Sequence, residues 1–304
     1  CSSDLHRFGL DQEVALEPLR TGVVAGHAQH GGHVLLLTLL VGVEQTHVAF
    51  ASAPEHIVLA AELDRGVDRA GLRQLWSDVP APPTCQAAQP LAPQAIGELI
   101  CNHPGEITLI ATGPLTNVAI ALQLYPDIVG TVKNIVIMGG VFNVAGYIKD
   151  TNFGLDPEAA HAVLTSGAPV TLVPMDVTTK TQMLHRDLDR LTSVKNGLSR
   201  YLAQTVRPWI AYSMQTRNLP GCWIHDVVTV AWLLDPTMAT TTEDYLDVSL
   251  EGITRGMTCR YGRDGLRLDV GVPEPQGATV RILESIDNTH LLALLEHYIH
   301  RYRA

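Results

Sequence analysis

Three short, almost unbroken apolar segments constrain this chain more than any other feature: Ile107–Ala111, Ile135–Met138 and Val170–Met175. Each is too short for a core helix, and each closes on polar or glycine punctuation: Thr112-Gly113-Pro114, Gly139-Gly140 and Asp176. A strand that is apolar along both faces must be covered on both, which is the situation at the centre of a parallel sheet flanked by helices. The intervening stretches carry the helical signals such a sheet needs. Pro93 suits a first helical turn, Ile96, Leu99 and Ile100 follow at i, i+3, i+4 spacing, and Asn102-His103-Pro104-Gly105 ends the pattern. Val118, Ala119 and Leu122 mark a second helix. Asp156-Pro157-Glu158 opens a third, with an N-cap carboxylate, proline at the first position and an acid in the first turn, and Gly167 ends it. His225–Leu234 predicts a further core helix and Leu291–Tyr298 a terminal one. The expected fold class is α/β: a mainly parallel sheet with helices on both faces.

Composition matters for what it excludes. With 46% hydrophobic and 17% charged residues over 304 positions, the chain can bury a large core and is not a disordered one. A formal net charge of −10, with no clustered Lys and Arg, excludes a nucleic-acid-binding face, which needs cations against phosphates. The same acidic balance is compatible with a bound divalent cation. Five cysteines (Cys1, Cys85, Cys101, Cys222, Cys259), widely spaced and without a CxxC pair, form neither a disulfide framework nor a zinc site. They point to a reducing compartment, hence a cytoplasmic protein. The longest apolar run, Val34–Val43, is far short of a membrane-spanning helix and lacks the basic lead-in of a secretory signal.

Residues 1–65 have a different texture from residues 66–304. Gly, His and Leu are scattered there without a sustained period of 2 or 3.6, and Val34–Leu40 is the one strand candidate. The start Cys1-Ser2-Ser3 matches a processed lipid-anchored protein; Cys1–Leu5 also matches a translated sequencing adapter, followed by an out-of-frame stretch, and this second reading is preferred. His27, His30 and His33 form an HxxHxxH cluster, but Gly31-Gly32 argues against a helix that would gather them, so they read as a loop coincidence.

In open parallel sheets, ligands bind at the carboxyl ends of the strands. The punctuation noted above falls there, and glycines at such positions let the backbone approach a ligand closely. Any one of these sites is also ordinary turn chemistry. Together, however, Ala111-Thr112-Gly113-Pro114-Leu115-Thr116-Asn117, Ile137-Met138-Gly139-Gly140, Asn152-Phe153-Gly154-Leu155-Asp156-Pro157-Glu158-Ala159-Ala160, Met175-Asp176-Val177-Thr178 and His225-Asp226 are ordered and spaced as in the inosine–uridine-preferring nucleoside hydrolase family, which the chain resembles. Arg255-Gly256-Met257-Thr258 resembles that family's late hairpin.

The resemblance implies cleavage of the N-glycosidic bond of ribonucleosides by a Ca²⁺-bound water, with the ion held by aspartates of an N-terminal DxDxGxDD-type loop, a backbone carbonyl and a late aspartate. Thr112 matches the carbonyl donor and Asp226 the late aspartate; oxygen donors of these kinds suit calcium, which takes roughly six to eight of them. Asn152 matches the ribose-binding Asn and Met138 the sugar-packing Met. Asp150 stands where the family usually has Glu, and as the shorter residue it is expected to bind a ribose hydroxyl with altered reach. Asn143 is a candidate for the family's additional Asn. His225 matches a position that protonates the leaving base in some members, and Trp223 and Trp209 are candidate stacking surfaces for a nucleobase. The resemblance also implies a cytoplasmic homodimer or homotetramer acting in nucleoside salvage.

Taken singly, these residues have plainer readings. Asp226 before an apolar run reads as a helix cap, Asn152 as a turn residue, Met138 and Trp209 as packing. The sequence also departs from the family. No DxDxGxDD run exists, Asp4 and Asp11 are isolated, and the His-Gly preceding an acidic stretch survives only as Arg65-Gly66-Val67-Asp68. Impaired catalysis is therefore expected. The alternatives are a riboside-binding pseudoenzyme and an exported, lipid-anchored ligand-binding protein.

Overall fold

The computed structural model describes residues 22–24, 47–52, 56–60, 92–261 and 275–302. Among these, β1 (Gly22–Val24), β2 (His47–Ser52), β3 (His56–Ala60), β4 (Ile107–Ala111), β5 (Asn134–Met138), β6 (Val170–Val173), β7 (Thr241–Val248), β8 (Thr258–Tyr261) and β9 (Val280–Leu283) form one sheet in the order β1-β2-β3-β4-β5-β6-β9-β7-β8. Strands β3, β4, β5, β6 and β9 run parallel; β2 meets β3 antiparallel, and β7 is antiparallel to both β9 and β8. The mainly parallel sheet expected from the sequence is present.

The three apolar segments are its centre, and their side chains alternate as strand geometry requires. Ile107, Leu109, Ala111, Ile135, Ile137, Val170 and Leu172 face one layer, while Ile110, Val136 and Val173 face the other. The first layer is α1 (Ala92–Asn102), α2 (Thr116–Leu124), the short α3 (Ile128–Thr131) and α5 (Pro157–Leu164), through Ile96, Ile100, Val118, Ile128 and Val163. The second layer is α7 (His185–Leu191), α8 (Gly197–Arg217), α9 (Val227–Leu234) and α10 (Asn288–Arg301), through Leu188, Leu202, Ile210, Val228 and Leu295. Each such side chain, fully buried, contributes about 1.5–3 kcal/mol.

Several elements differ from expectation. Strands β1, β2 and β3 arise within residues 1–65, where the sequence pattern signals a strand only at Val34–Leu40, which lies outside the described residues. The helix predicted from His225 begins at Val227, so His225 and Asp226 stand in the turn before it. The 21-residue α8 carries Pro208 in its interior, a position where proline removes a backbone donor. Its buried face is an apolar stripe of Leu198, Leu202, Val206 and Ile210 at four-residue spacing, bordered by the small polar residues Ser199, Thr205 and Ser213. Among the described residues no helix is long and apolar enough to cross a membrane.

Candidate functional site

The parallel register brings Ala111 level with Ile137, and Met138 level with Val173, so the residues that follow β4, β5 and β6 emerge along one edge. At that edge the Asn152 amide bridges two strand ends. Its Nδ2 donates to the Met138 carbonyl at 2.9 Å and to the Thr112 carbonyl at 3.3 Å, with the Met138 sulfur at 3.5 Å. Both amide hydrogens are thus committed, while Oδ1 accepts nothing among the described residues. That orients the side chain with its acceptor end open, which is what a hydroxyl-binding asparagine needs.

Asn152 is delivered by α4 (Thr151–Leu155), whose N-cap is Asp150. The Asp150 carboxylate accepts from the backbone N–H of Gly140 at 2.9 Å, of Asn152 at 2.8 Å and of Phe153 at 3.3 Å. Burial pushes it up to about 6, against the opposing pull of those amides. Below it, Phe153 is wholly buried against Gly139, where a Cβ would come within 2.5 Å of the Phe153 ring. Gly140 adopts φ +78°, the left-handed region that favours glycine, so both glycines of the Gly-Gly turn are required by the site's local geometry.

His225 and Asp226 reach the same edge by a different route. The short helix α6 (Met175–Thr178) follows β6, and the segment after it pins residues 222–225. Met183 and Cys222 exchange backbone hydrogen bonds of 2.9 and 3.0 Å. The Thr181 hydroxyl donates to the Ile224 carbonyl at 3.0 Å and accepts from its N–H at 2.9 Å. Gly221 permits this approach: a Cβ there would lie 2.2 Å from the Met183 carbonyl oxygen. Thr178 Oγ1 lies 2.7 Å from His225 Nδ1. The Thr178 side chain is fully buried and its hydroxyl needs an acceptor, so we assign Nδ1 as that acceptor and place the neutral ring's hydrogen on Nε2. Burial, reinforced by the positive charge of Arg217, lowers the His225 imidazole to about 4. The ring is neutral near pH 7 and acts there as an Nε2–H donor.

Asp226 does not cap α9: its side chain makes no capping hydrogen bond and has no partner among the described residues. Burial raises its carboxyl to about 8. An enclosed carboxyl without a hydrogen bond or counterion costs stability, and such groups recur where a ligand or cation completes the site.

The structure therefore brings Thr112, Met138, Asn152 and Asp150 into one bonded group, and sets His225 and Asp226 on the same edge, with the Trp223 ring edge-on to His225 at 5.8 Å. Asn143 is not gathered in: its side chain is exposed, and its backbone N–H donates to Asp176 at 2.7 Å beside Phe142 N–H at 2.9 Å. Trp209 stacks on Tyr212, with Arg217 over its ring at 5.2 Å. Sequence reasoning assigned no role to Thr178 or Asp176; the signal was the motif Met175-Asp176-Val177-Thr178, whose polar members serve the fold of the site. Among the described residues no three His, Cys, Asp or Glu side chains gather as a metal cluster. His27, His30, His33 and Arg65-Gly66-Val67-Asp68 lie outside the described residues.

Residues 28–293 match the family described as "Inosine-uridine preferring nucleoside hydrolase". Among curated proteins the chain is 37% identical over 183 residues to "Probable uridine nucleosidase 2" of Arabidopsis thaliana, covering 59% of this chain and 57% of that one. It is 36% identical over 182 residues to "Pyrimidine-specific ribonucleoside hydrolase RihA" of Klebsiella pneumoniae, again covering 59% and 57%. The chain thus spans 57% of the length of these relatives. In fold it is similar to a plant nucleoside hydrolase (TM-score 0.73, 23% identity, 94% of this chain and 92% of that one). It is also similar to an inosine-guanosine nucleoside hydrolase (TM-score 0.68, 22% identity, 94% and 100%).

Proposed function

This chain belongs to the inosine–uridine-preferring nucleoside hydrolase family, and from that premise we propose that it is a ribonucleoside N-glycosyl hydrolase, in which water adds to the ribose anomeric carbon as the C–N bond to the base breaks. The observation that supports this reading is the Asn152 amide, locked onto the carbonyls that end β4 and β5 with its Oδ1 unpartnered among the described residues, while His225 is held by Thr178 just after β6, the next strand of the sheet. Asn152 Oδ1 accepts a ribose hydroxyl, and Met138 packs under the sugar. Trp223 offers a face to the base. His225, neutral and with its hydrogen on Nε2, donates to the departing base, which must gain a proton or a hydrogen bond as it leaves.

The donor chemistry fits a hard, oxygen-preferring cation such as Ca²⁺: the largely buried Asp226 carboxyl has no counterion among the described residues, and the Thr112 carbonyl has a second lone pair. Asp226 and Thr112 would hold part of its coordination sphere. When bound, such a cation supplies Lewis acidity toward water and an anchor for ribose hydroxyls. With no DxDxGxDD run in the sequence, these two donors are few, and we read its turnover as slow. The names of the relatives, a probable uridine nucleosidase at 37% identity and a pyrimidine-specific ribonucleoside hydrolase at 36%, make uridine the first substrate to test.

The experiment is release of free base from uridine and inosine, with and without added Ca²⁺ or chelator. Slow, calcium-stimulated release from the unmodified chain is expected, rising when a family-type DTDPGxDD loop replaces the first segment. Robust, chelator-insensitive turnover refutes the calcium reading. Uridine binding with no release even after the graft would favour the riboside-binding pseudoenzyme, a reading motivated by the missing acidic run.

A further inference from the structure

We propose that Asp150 is a positioning residue, which orients Asn152 through the backbone instead of touching ribose itself; this rests on the reading of the edge as a ribose site. Neither carboxylate oxygen is left over for a substrate. Oδ1 accepts from Gly140 N–H at 2.9 Å and Phe153 N–H at 3.3 Å, and Oδ2 accepts from Asn152 N–H at 2.8 Å and Phe153 N–H at 3.3 Å. The residue is 4% exposed. It ties two things together: the first turn of α4, which carries Asn152, and the Gly139–Val141 turn at the end of β5.

That turn is itself held from three other sides. Gly139 N–H donates to the Val173 carbonyl at 3.2 Å, Met175 N–H donates to the Gly140 carbonyl at 2.9 Å, and Val141 N–H donates to the buried Thr258 hydroxyl at 3.4 Å. A turn fixed by β6, α6 and the β7–β8 hairpin is a rigid reference, and Asp150 transfers that rigidity to the helix start two residues before the ribose amide. Aspartate has the reach for this task. Glutamate, one methylene longer, would carry its carboxylate past the amides. The chain length of residue 150 thus decides whether its carboxylate meets these amides.

Three variants test this: Asp150→Glu, Asp150→Asn and Asp150→Ser. The measurements are uridine affinity by calorimetry and amide hydrogen exchange at Gly140, Asn152 and Phe153. Asp150→Glu is expected to weaken uridine binding about threefold to tenfold, the worth of one misplaced hydrogen bond, and to speed exchange at all three amides. Asp150→Ser keeps a cap oxygen for Asn152 and Phe153 but loses the tie to Gly140, so it should fold normally while Gly140 exchange and uridine affinity suffer. In Asp150→Asn combined with Asn152→Ala, affinity should fall no further than in Asn152→Ala alone, because the first residue acts only through the second. Equal or tighter binding by Asp150→Glu with unchanged exchange would overturn the proposal, as would additive losses in the double variant. If the unmodified protein binds no uridine, the ribose-site reading fails; exchange at Asn152 and Phe153 then still decides whether Asp150 holds this segment.

Discussion

A largely buried carboxyl with no partner among the described residues should make Asp226 a stability defect that a cation relieves. Its folded pKa is about 8, against about 3.8 for an unperturbed aspartate. The folded state therefore binds the proton more tightly than the unfolded chain, and stability falls as pH rises from about 4 to 8. Two other groups titrate in the lower part of that span. Asp150, raised to about 6, also loses stability with rising pH up to that value. His225, lowered to about 4, acts in the opposite sense, because the unfolded chain takes up its proton first and stability rises with pH until about 6.5. Between pH 6.5 and 8, Asp226 is the one of these three still titrating. Integrating the linkage over that window gives about 1.6 kcal/mol of lost stability as an upper figure. The side chain keeps some solvent exposure, which reduces this to about 1 kcal/mol, or roughly 2–4 °C in Tm. The assay is thermal or urea unfolding of wild type and Asp226→Asn at pH 6.5 and 8, each with and without millimolar Ca²⁺. Wild type should lose stability across the window and recover it with Ca²⁺. Asp226→Asn should be flat, more stable than wild type at pH 8, and indifferent to Ca²⁺. Equal slopes for the two proteins, or an asparagine variant less stable at pH 8, would refute the unpaired-carboxyl argument.

Two further outcomes follow from the same geometry. The His225 ring should titrate near pH 4 when followed by NMR, with its hydrogen on Nε2 above that pH, and Arg217→Met should move the midpoint upward because one of the two depressing causes is gone. Gly221→Ala should destabilise the fold by at least the roughly 1–3 kcal/mol typical of overpacking, since its Cβ would meet the Met183 backbone 2.2 Å away, where no flexible side chain can yield. Urea denaturation reads this directly, and unchanged stability would mean that the Met183–Cys222 pairing is not the anchor of the His225 turn.

By itself the sequence determined the central sheet and its coverage. Strands buried on both faces must be apolar almost throughout, so Ile107–Ala111, Ile135–Met138 and Val170–Val173 were legible without any knowledge of their partners. The same holds for the start of the Pro157–Leu164 helix, where Asp156 accepts from Ala159 N–H at 3.0 Å as an N-cap aspartate is expected to. Local chemistry governs such elements, because the interacting groups are neighbours in the chain. Which carboxylate serves the backbone and which is left for a ligand was not legible. Asp226 before an apolar run reads as a cap and caps nothing, whereas Asp150 was expected in the cleft and spends both oxygens on amides, one of them from a turn ten residues earlier. The strands of the first segment were hidden for a related reason: pairing with the rest of the sheet holds them, not a period of their own. The helix around Pro208 does carry a helical period in Leu198, Leu202, Val206 and Ile210, but its interior proline masks it. A side chain's role depends on the groups that folding brings within hydrogen-bond reach. For Asn152, those are the carbonyls at the ends of two other strands, and only the parallel register of β4 and β5 puts them there.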